Sequence, residues 1–270
     1  MEQRVDFESQ LQELCQALKL PALGRDGVRL AEQALRQGIG HLQYLVQLLE
    51  IEWREREERR AARRIKEARF PLLKTLEGFD FARAGHLPEV HIRELATGGY
   101  IERAEPVLLL GEPGTGKTHL ATALGVAAAR QGRSVRFVTA GRLVTELIEA
   151  RDAHQLGRVV GRYTRVELLI LDELGYLPLG RTDAELLFQV LSERQEQRPI
   201  VLTTNLPFGE WTSVFPDARL CRAVVDRLTH RAHIIETGTQ SMRLEETLAR
   251  SRGKTQGPSP NTAPKPEGAN

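Results

Sequence analysis

The middle of the chain is punctuated by short, wholly apolar runs at 107–110, 135–138, 168–171, 200–202 and 234–235. Runs this short, without polar alternation, suit strands buried on both faces. The segments between them carry helical spacing, and strand-helix alternation predicts a parallel sheet covered by helices, a three-layer α/β fold. Ahead of it the pattern is helical throughout. Val5, Leu11, Leu14, Cys15 and Leu18 predict a first helix over 5–20, stopped by Pro21. A second is expected over 27–37, closed by Gly38, and a third from Gly40, with Leu42, Leu45, Val46 and Leu49 on one face.

The third helix turns highly charged from Glu52 to Arg69. Its first half pairs Glu52 with Arg56 and Glu55 with Arg59 at i,i+4, the pattern of a solvated helix. Its second half leaves Arg60, Arg63, Arg64, Lys66 and Arg69 poorly balanced, which makes them candidates for neutralising DNA phosphates, with a solvated face as the competing reading. Phe70-Pro71 breaks the helix, and the stretch to Glu105 is rich in glycine around a short helical pattern at 90–95. Three parts are therefore expected: a small all-helical N-terminal domain at 1–69 for assembly, partner or DNA contact, a main α/β domain at 70–250, and a disordered tail at 251–270 with almost nothing to bury.

The chemistry sits at the ends of the apolar runs. Gly111-Glu112-Pro113-Gly114-Thr115-Gly116-Lys117-Thr118 is a full P-loop pattern, directly after a strand and directly before a helix at 119–131. Its glycines let backbone N–H groups turn toward phosphates, and the helix adds its positive end. Lys117 is expected to reach the β- and γ-phosphates, Thr118 to ligate magnesium, and His119 to complete the ATP-binding segment. The run at 168–171 delivers Asp172 and Glu173 to a strand's C-terminal edge, where ligands of open α/β sheets bind. Asp172 is the second magnesium ligand and Glu173 the group that polarises the attacking water. Asn205, after a strand expected between those two, is the candidate γ-phosphate sensor. In the basic segment 219–231, Arg227 is the candidate finger supplied to a neighbouring subunit, with Arg219 and Arg222 as rivals. Arg243 is a candidate contact to the γ-phosphate of its own subunit.

Composition adds limits. Lys and Arg number 38 against 36 Asp and Glu, a net charge of +2, so attraction to nucleic acid must come from local patches. The two cysteines, Cys15 and Cys221, lack metal or disulfide spacing and read as buried thiols of a reducing compartment. Trp53 and Trp211 read as packing residues. No apolar run approaches the ~20 residues that cross a bilayer, and the start lacks the features of a signal peptide, so a cytoplasmic protein is expected.

Taken together, the segments starting at Gly111, at Leu171 (Leu-Asp-Glu-Leu-Gly-Tyr), at Leu187 (Leu-Phe-Gln-Val-Leu-Ser-Glu-Arg) and at Asp226 (Asp-Arg-Leu-Thr-His) resemble the IstB family of transposition helper ATPases. The segment 70–81 resembles it too, so only the tail is left out. That family is similar to the DnaC helicase loaders and, more distantly, the DnaA initiators. The resemblance implies an AAA+ core that forms an ATP-dependent homo-oligomer, binds duplex target DNA and engages a transposase; the alternative it leaves open is a helicase loader acting on single strands. It also makes Arg142, Arg151, Arg158 and Arg162, in the region after the second strand, candidate DNA contacts. Glu112 replaces a common proline, Met242 a usual tyrosine and Arg231 a frequent histidine.

Overall fold

A computed structural model of the chain describes residues 6–176, 178–239 and 241. Five strands, β1 (Val107–Leu110), β2 (Val135–Thr139), β3 (Leu168–Leu174), β4 (Ile200–Thr204) and β5 (His233–Glu236), form one parallel sheet in the order β2-β3-β4-β1-β5. β4 thus lies between the P-loop strand and the strand bearing Asp172, as expected. Because successive side chains point to opposite faces, each apolar run feeds two cores. Leu108, Leu110, Leu169, Leu171, Ile200 and Leu202 pack toward α7 (Ala140–Asp152), α8 (Leu156–Thr164), α9 (Arg181–Arg194) and α10 (Ala218–Thr229). Val107, Leu109, Leu168, Ile170, Val201 and Ile235 pack toward α6 (Lys117–Arg130) and the segment holding α4 (Glu89–Leu95) and α5 (Gly99–Glu102). This is the three-layer arrangement that double-sided burial demands.

α6 lies very close to the sheet. A Cβ on Gly125 would run into Ile170 of β3 and into the Phe70 ring, so only glycine lets the helix approach this far. Phe70 therefore helps bind the chain entering the core to the helix that starts at the P-loop.

The N-terminal helices are α1 (Phe7–Ala17), α2 (Pro21–Gln37) and α3 (His41–Ala68). α2 begins six residues earlier than its apolar pattern suggests. Pro21 is its first residue rather than a stop, a place where the missing N–H costs nothing. The cap comes from a distance: Glu52 on α3 accepts the amides of Ala22 at 3.0 Å and Leu23 at 3.4 Å. Glu52 also pairs with Arg56 at 3.0 Å and is only 3% exposed, so the expected i,i+4 pair exists but its acid is buried. Burial works against ionisation there, yet the Arg56 guanidinium and the two amides outweigh it and hold the carboxyl below its ordinary value.

One further expectation changes, that of Trp53. Leu42, Leu45, Val46 and Leu49 do share a face of α3, but that face points to solvent, and Trp53 continues it at 64% exposure rather than packing. Trp211 is buried between Phe208 and Phe215, and both cysteines are buried. The second half of α3 packs on α6 and β2, where Arg64 Nε donates to the Gly132 carbonyl at 3.2 Å and Ala68 is fully buried. Val5 and the tail lie outside the described residues. Among the described residues no helix is long and apolar enough to cross a membrane.

Candidate nucleotide site

The P-loop leaves β1 at the C-terminal edge of the sheet, where neighbouring strand ends converge. Gly111 sits at φ 151°, and a Cβ there would strike Thr237 and the Gly238 carbonyl. That contact explains why this residue is glycine: the turn after β5 backs directly onto the loop. The Glu112 amide donates to Gly238 O at 3.0 Å, and the hydroxyls of Thr115 and Thr237 lie 2.6 Å apart. Gly114 (φ 88°) and Gly116 (φ 94°) take left-handed conformations that carry the loop into α6. The Lys117 ammonium lies inside the curl, donating to the carbonyls of Gly111 at 2.6 Å and Glu112 at 2.8 Å.

Asp172 faces this loop from β3. Thr118 Oγ1 donates to its two carboxylate oxygens at 3.0 and 3.1 Å, and Thr203 Oγ1 on β4 donates to Oδ1 at 2.5 Å. The carboxylate is 3% exposed, and burial raises its pKa above the ordinary aspartate value although Thr203, Thr118 and Lys117 all oppose the shift. A buried carboxylate beside a threonine hydroxyl offers hard oxygen donors and few of them. That suits magnesium, which keeps waters and takes phosphate oxygens for the rest of its shell.

Glu173 is placed differently from its neighbour. The β3-β4 pairing slips between Leu171 and Leu174, and Glu173 adopts φ 61° with its side chain exposed. Such a bulge re-aims a side chain. Consecutive strand residues point to opposite faces, so a regular strand would send Glu173 away from the side of Asp172. Its amide donates to Thr203 Oγ1 at 2.9 Å, so one hydroxyl fixes Asp172 and the backbone of Glu173 together. Thr203 escaped the sequence reading; its signal was a polar Thr-Thr pair ending an otherwise apolar strand. Asn205 follows, half-buried at the tip of β4.

Beside the loop a cleft of about 380 Å³ is lined by Pro71, Leu72, Lys74, Phe79, Lys117 and His119, among others. His119 is half-buried there, its Nε2 2.9 Å from Thr75 O and its ring edge-on to Phe79, and burial lowers its pKa. The 70–81 segment thus forms a wall of the site. Pro113 is exposed on the outer bend of the loop.

The remaining candidates lie apart from this cluster. Arg227, near the end of α10, faces a hollow lined by Ile200, which begins β4, and by Pro106, which immediately precedes β1. It therefore sits at the edge of the sheet opposite the P-loop. Arg219 and Arg222 are exposed at the start of α10, Arg222 bonding the Ala218 carbonyl. Arg243 lies outside the described residues. Arg60 and Arg63 are exposed on α3 and share a shallow hollow with Arg56 and Arg59, while Arg64 is turned inward. On α7 and α8, Arg142 and Arg162 both pair with Glu146, Arg151 pairs with Asp152, and Arg158 is exposed.

A five-stranded parallel sheet, a P-loop on one strand and an Asp-Glu pair at the end of another define a P-loop ATPase core of the AAA+ kind. Solved structures agree on the fold. AMPPCP-bound DnaA of Aquifex aeolicus matches with a TM-score of 0.54 at 20% identity, covering 68% of this chain and 56% of that one. The DnaC helicase loader matches with a TM-score of 0.50 at 21% identity, covering 64% of this chain and 98% of that one.

The family model for IstB-like ATP binding proteins matches residues 13–250, and the chain belongs to that family. It is 40% identical over 237 residues to the insertion sequence IS21 ATP-binding protein of Pseudomonas aeruginosa, covering 88% of this chain and 89% of the relative. It is 38% identical over 240 residues to that of insertion sequence IS5376 from Geobacillus stearothermophilus, covering 89% and 96%. The chain is thus an insertion-sequence-associated ATP-binding protein with an AAA+ core.

Proposed function

We propose that this protein is an ATP-gated regulator of transposition, which assembles on duplex target DNA with ATP at its subunit interfaces and recruits or stimulates a transposase. The observation that carries the assembly step is the placement of Arg227. It stands at the sheet edge opposite its own P-loop, and β1 alone separates the two by roughly 13 Å of strand. An arginine so placed cannot serve its own nucleotide, but it is available to a neighbour's.

Within one site, ATP supplies the phosphoryl group and magnesium its charge neutralisation. Thr118 and Asp172 hold the metal through oxygen. Lys117 exchanges its two loop carbonyls for β- and γ-phosphate oxygens. Glu173, exposed and aimed by the bulge, orients and polarises a water for in-line attack, and Asn205 positions that water or the γ-phosphate. Arg227 of the neighbour stabilises charge on the transferring group, so turnover depends on assembly. His119, Pro113 and the glycines shape the pocket, and Arg243 is assigned to the γ-phosphate of its own subunit. The exposed Arg60, Arg63 and Arg158, together with Arg142, Arg151 and Arg162, are the proposed DNA contacts, acting through phosphates, whereas Arg64 is turned to the Gly132 carbonyl.

The test is ATP hydrolysis by the purified protein with and without duplex DNA, while assembly on the DNA is followed by size. Duplex-stimulated turnover, abolished in Glu173→Gln with assembly retained, is the expected result. Stimulation by single strands alone would replace this account with a helicase loader.

A further inference from the structure

We infer that Gln195 and Phe188 are positioning residues for Arg227, presenting its guanidinium in a fixed pose to a neighbouring subunit. The inference rests on the proposed role of Arg227 in trans. Arg227 Nε donates to Gln195 Oε1 at 2.8 Å, and its Cζ lies 4.3 Å from the centroid of the Phe188 ring. A bond at one edge and a ring against one face together fix the plane of the guanidinium. Among the described residues none accepts from Nη1 or Nη2, the parallel pair of donors that matches two oxygens of a phosphoryl group.

The choice of partners matters. No carboxylate among the described residues forms an ion pair with Arg227, not even its neighbour Asp226. A neutral amide and an aromatic face orient the cation without cancelling its charge, which a carboxylate in the same place would do. Electrostatic help to a transition state requires both a preset direction and an undiminished charge.

Gln195 is itself anchored by a less ordinary device. Arg194, only 1% exposed, donates to the carbonyls of Tyr163 at 2.7 Å, Val166 at 2.9 Å, Glu167 at 3.3 Å and Pro199 at 2.8 Å. These bonds tie the turn after α9 to the connection between α8 and β3, and so hold the residue next in sequence, Gln195. Around Arg227 the hollow of about 390 Å³ is lined also by Arg198 and His230 and by Arg103 and Arg231, both of which pair with Glu105, with Glu196 the one acid of the lining among the described residues. Arg198, with Arg227 itself, leaves a net positive lining that favours an incoming anion.

The experiment compares Gln195→Ala, Phe188→Leu, Phe188→Tyr and Arg227→Ala in the full chain, measuring kcat and KM for ATP, thermal melting and ATP-driven assembly on duplex DNA. Arg227→Ala should lower kcat by about 10³-fold or more. Gln195→Ala and Phe188→Leu should each lower it by about tenfold, with KM changed less than about twofold because their own P-loop is untouched. Phe188→Tyr, which keeps the ring, should retain near-normal kcat. Unchanged kcat in Gln195→Ala beside a large loss in Arg227→Ala would overturn the positioning role alone. No loss in Arg227→Ala would instead remove the finger itself. Should Phe188→Leu fail to fold, Gln195→Ala, on a partly exposed turn, still decides the matter.

Discussion

Two helices of this chain use their apolar residues in opposite ways. In α6 the residues from Leu120 to Val126 are buried on every face of the helix, with Leu120 and Leu124 at most 1% exposed beneath the sheet. In the first half of α3 the stripe of Leu42, Leu45, Val46, Leu49 and Trp53 faces solvent, while the buried positions of that half are Leu48 and a charged residue, Glu52. The N-terminal helices are joined by polar bonds as well as by apolar contact. Glu52 caps α2, Tyr44 Oη donates to Gly27 O at 3.2 Å, Arg56 donates to Lys19 O at 2.7 Å, and Arg25 pairs with Glu55 at 2.9 Å. Periodicity identifies a helix; it does not say which face the fold will cover.

The contrast can be broken by substitution. Leu124→Ala should cost the core about 3 kcal/mol, since it leaves a cavity between α6 and the sheet. Glu52→Ala should cost the N-terminal helices about 2 kcal/mol through two uncapped amides and a lost charged bond. Faster hydrogen exchange at the Ala22 and Leu23 amides, ahead of the sheet, would register it. Leu45→Ala, of the same chemical type as the first change, should alter subunit stability by no more than about 0.5 kcal/mol. Chemical denaturation of the three variants ranks them, and a Leu45→Ala loss as large as that of Leu124→Ala would contradict the comparison.

Acid should also separate the two regions. Glu52 has a folded-state pKa below its unfolded value, so its contribution is present above the unfolded pKa and lost as pH falls through the folded one. The N-terminal helices should loosen on acidification, and Glu52→Gln should flatten that dependence in a pH series of hydrogen exchange. Asp172 has the opposite sign. Burial raises its pKa in the metal-free site, so protons compete with magnesium there to higher pH than at an ordinary aspartate, and magnesium affinity should fall on the acid side earlier than a free carboxylate predicts. Thr203→Val removes a bond that favours the ionised form and should move that acid limb to still higher pH.

Much of the core was legible because double-sided burial leaves a run of apolar residues no other use, and because a P-loop needs its glycines at set places. Gly111 illustrates both: the pattern places it, and the close backing of Thr237 and Gly238 gives the reason. Less legible were features made by chain segments that meet only in the fold. Glu52 looks like one half of a surface ion pair, because its other partners are amides thirty residues away. Thr203 and the bulge at Glu173 depend on the register between β3 and β4, which no local pattern records. Pro21 reads locally as a stop, yet α1 already ends at Ala17, and Pro21 opens α2 instead.

In the proposed assembly each nucleotide site is completed by the subunit beside it. Glu173→Gln subunits retain Arg227 but lack the group that activates water, and Arg227→Ala subunits retain the P-loop and Glu173 but offer no arginine to a neighbour. Each alone should be nearly inactive. Mixing the two under assembly conditions should restore ATP turnover, because intact sites then meet intact arginines; a mixture as inactive as its components, with co-assembly demonstrated, would contradict the account.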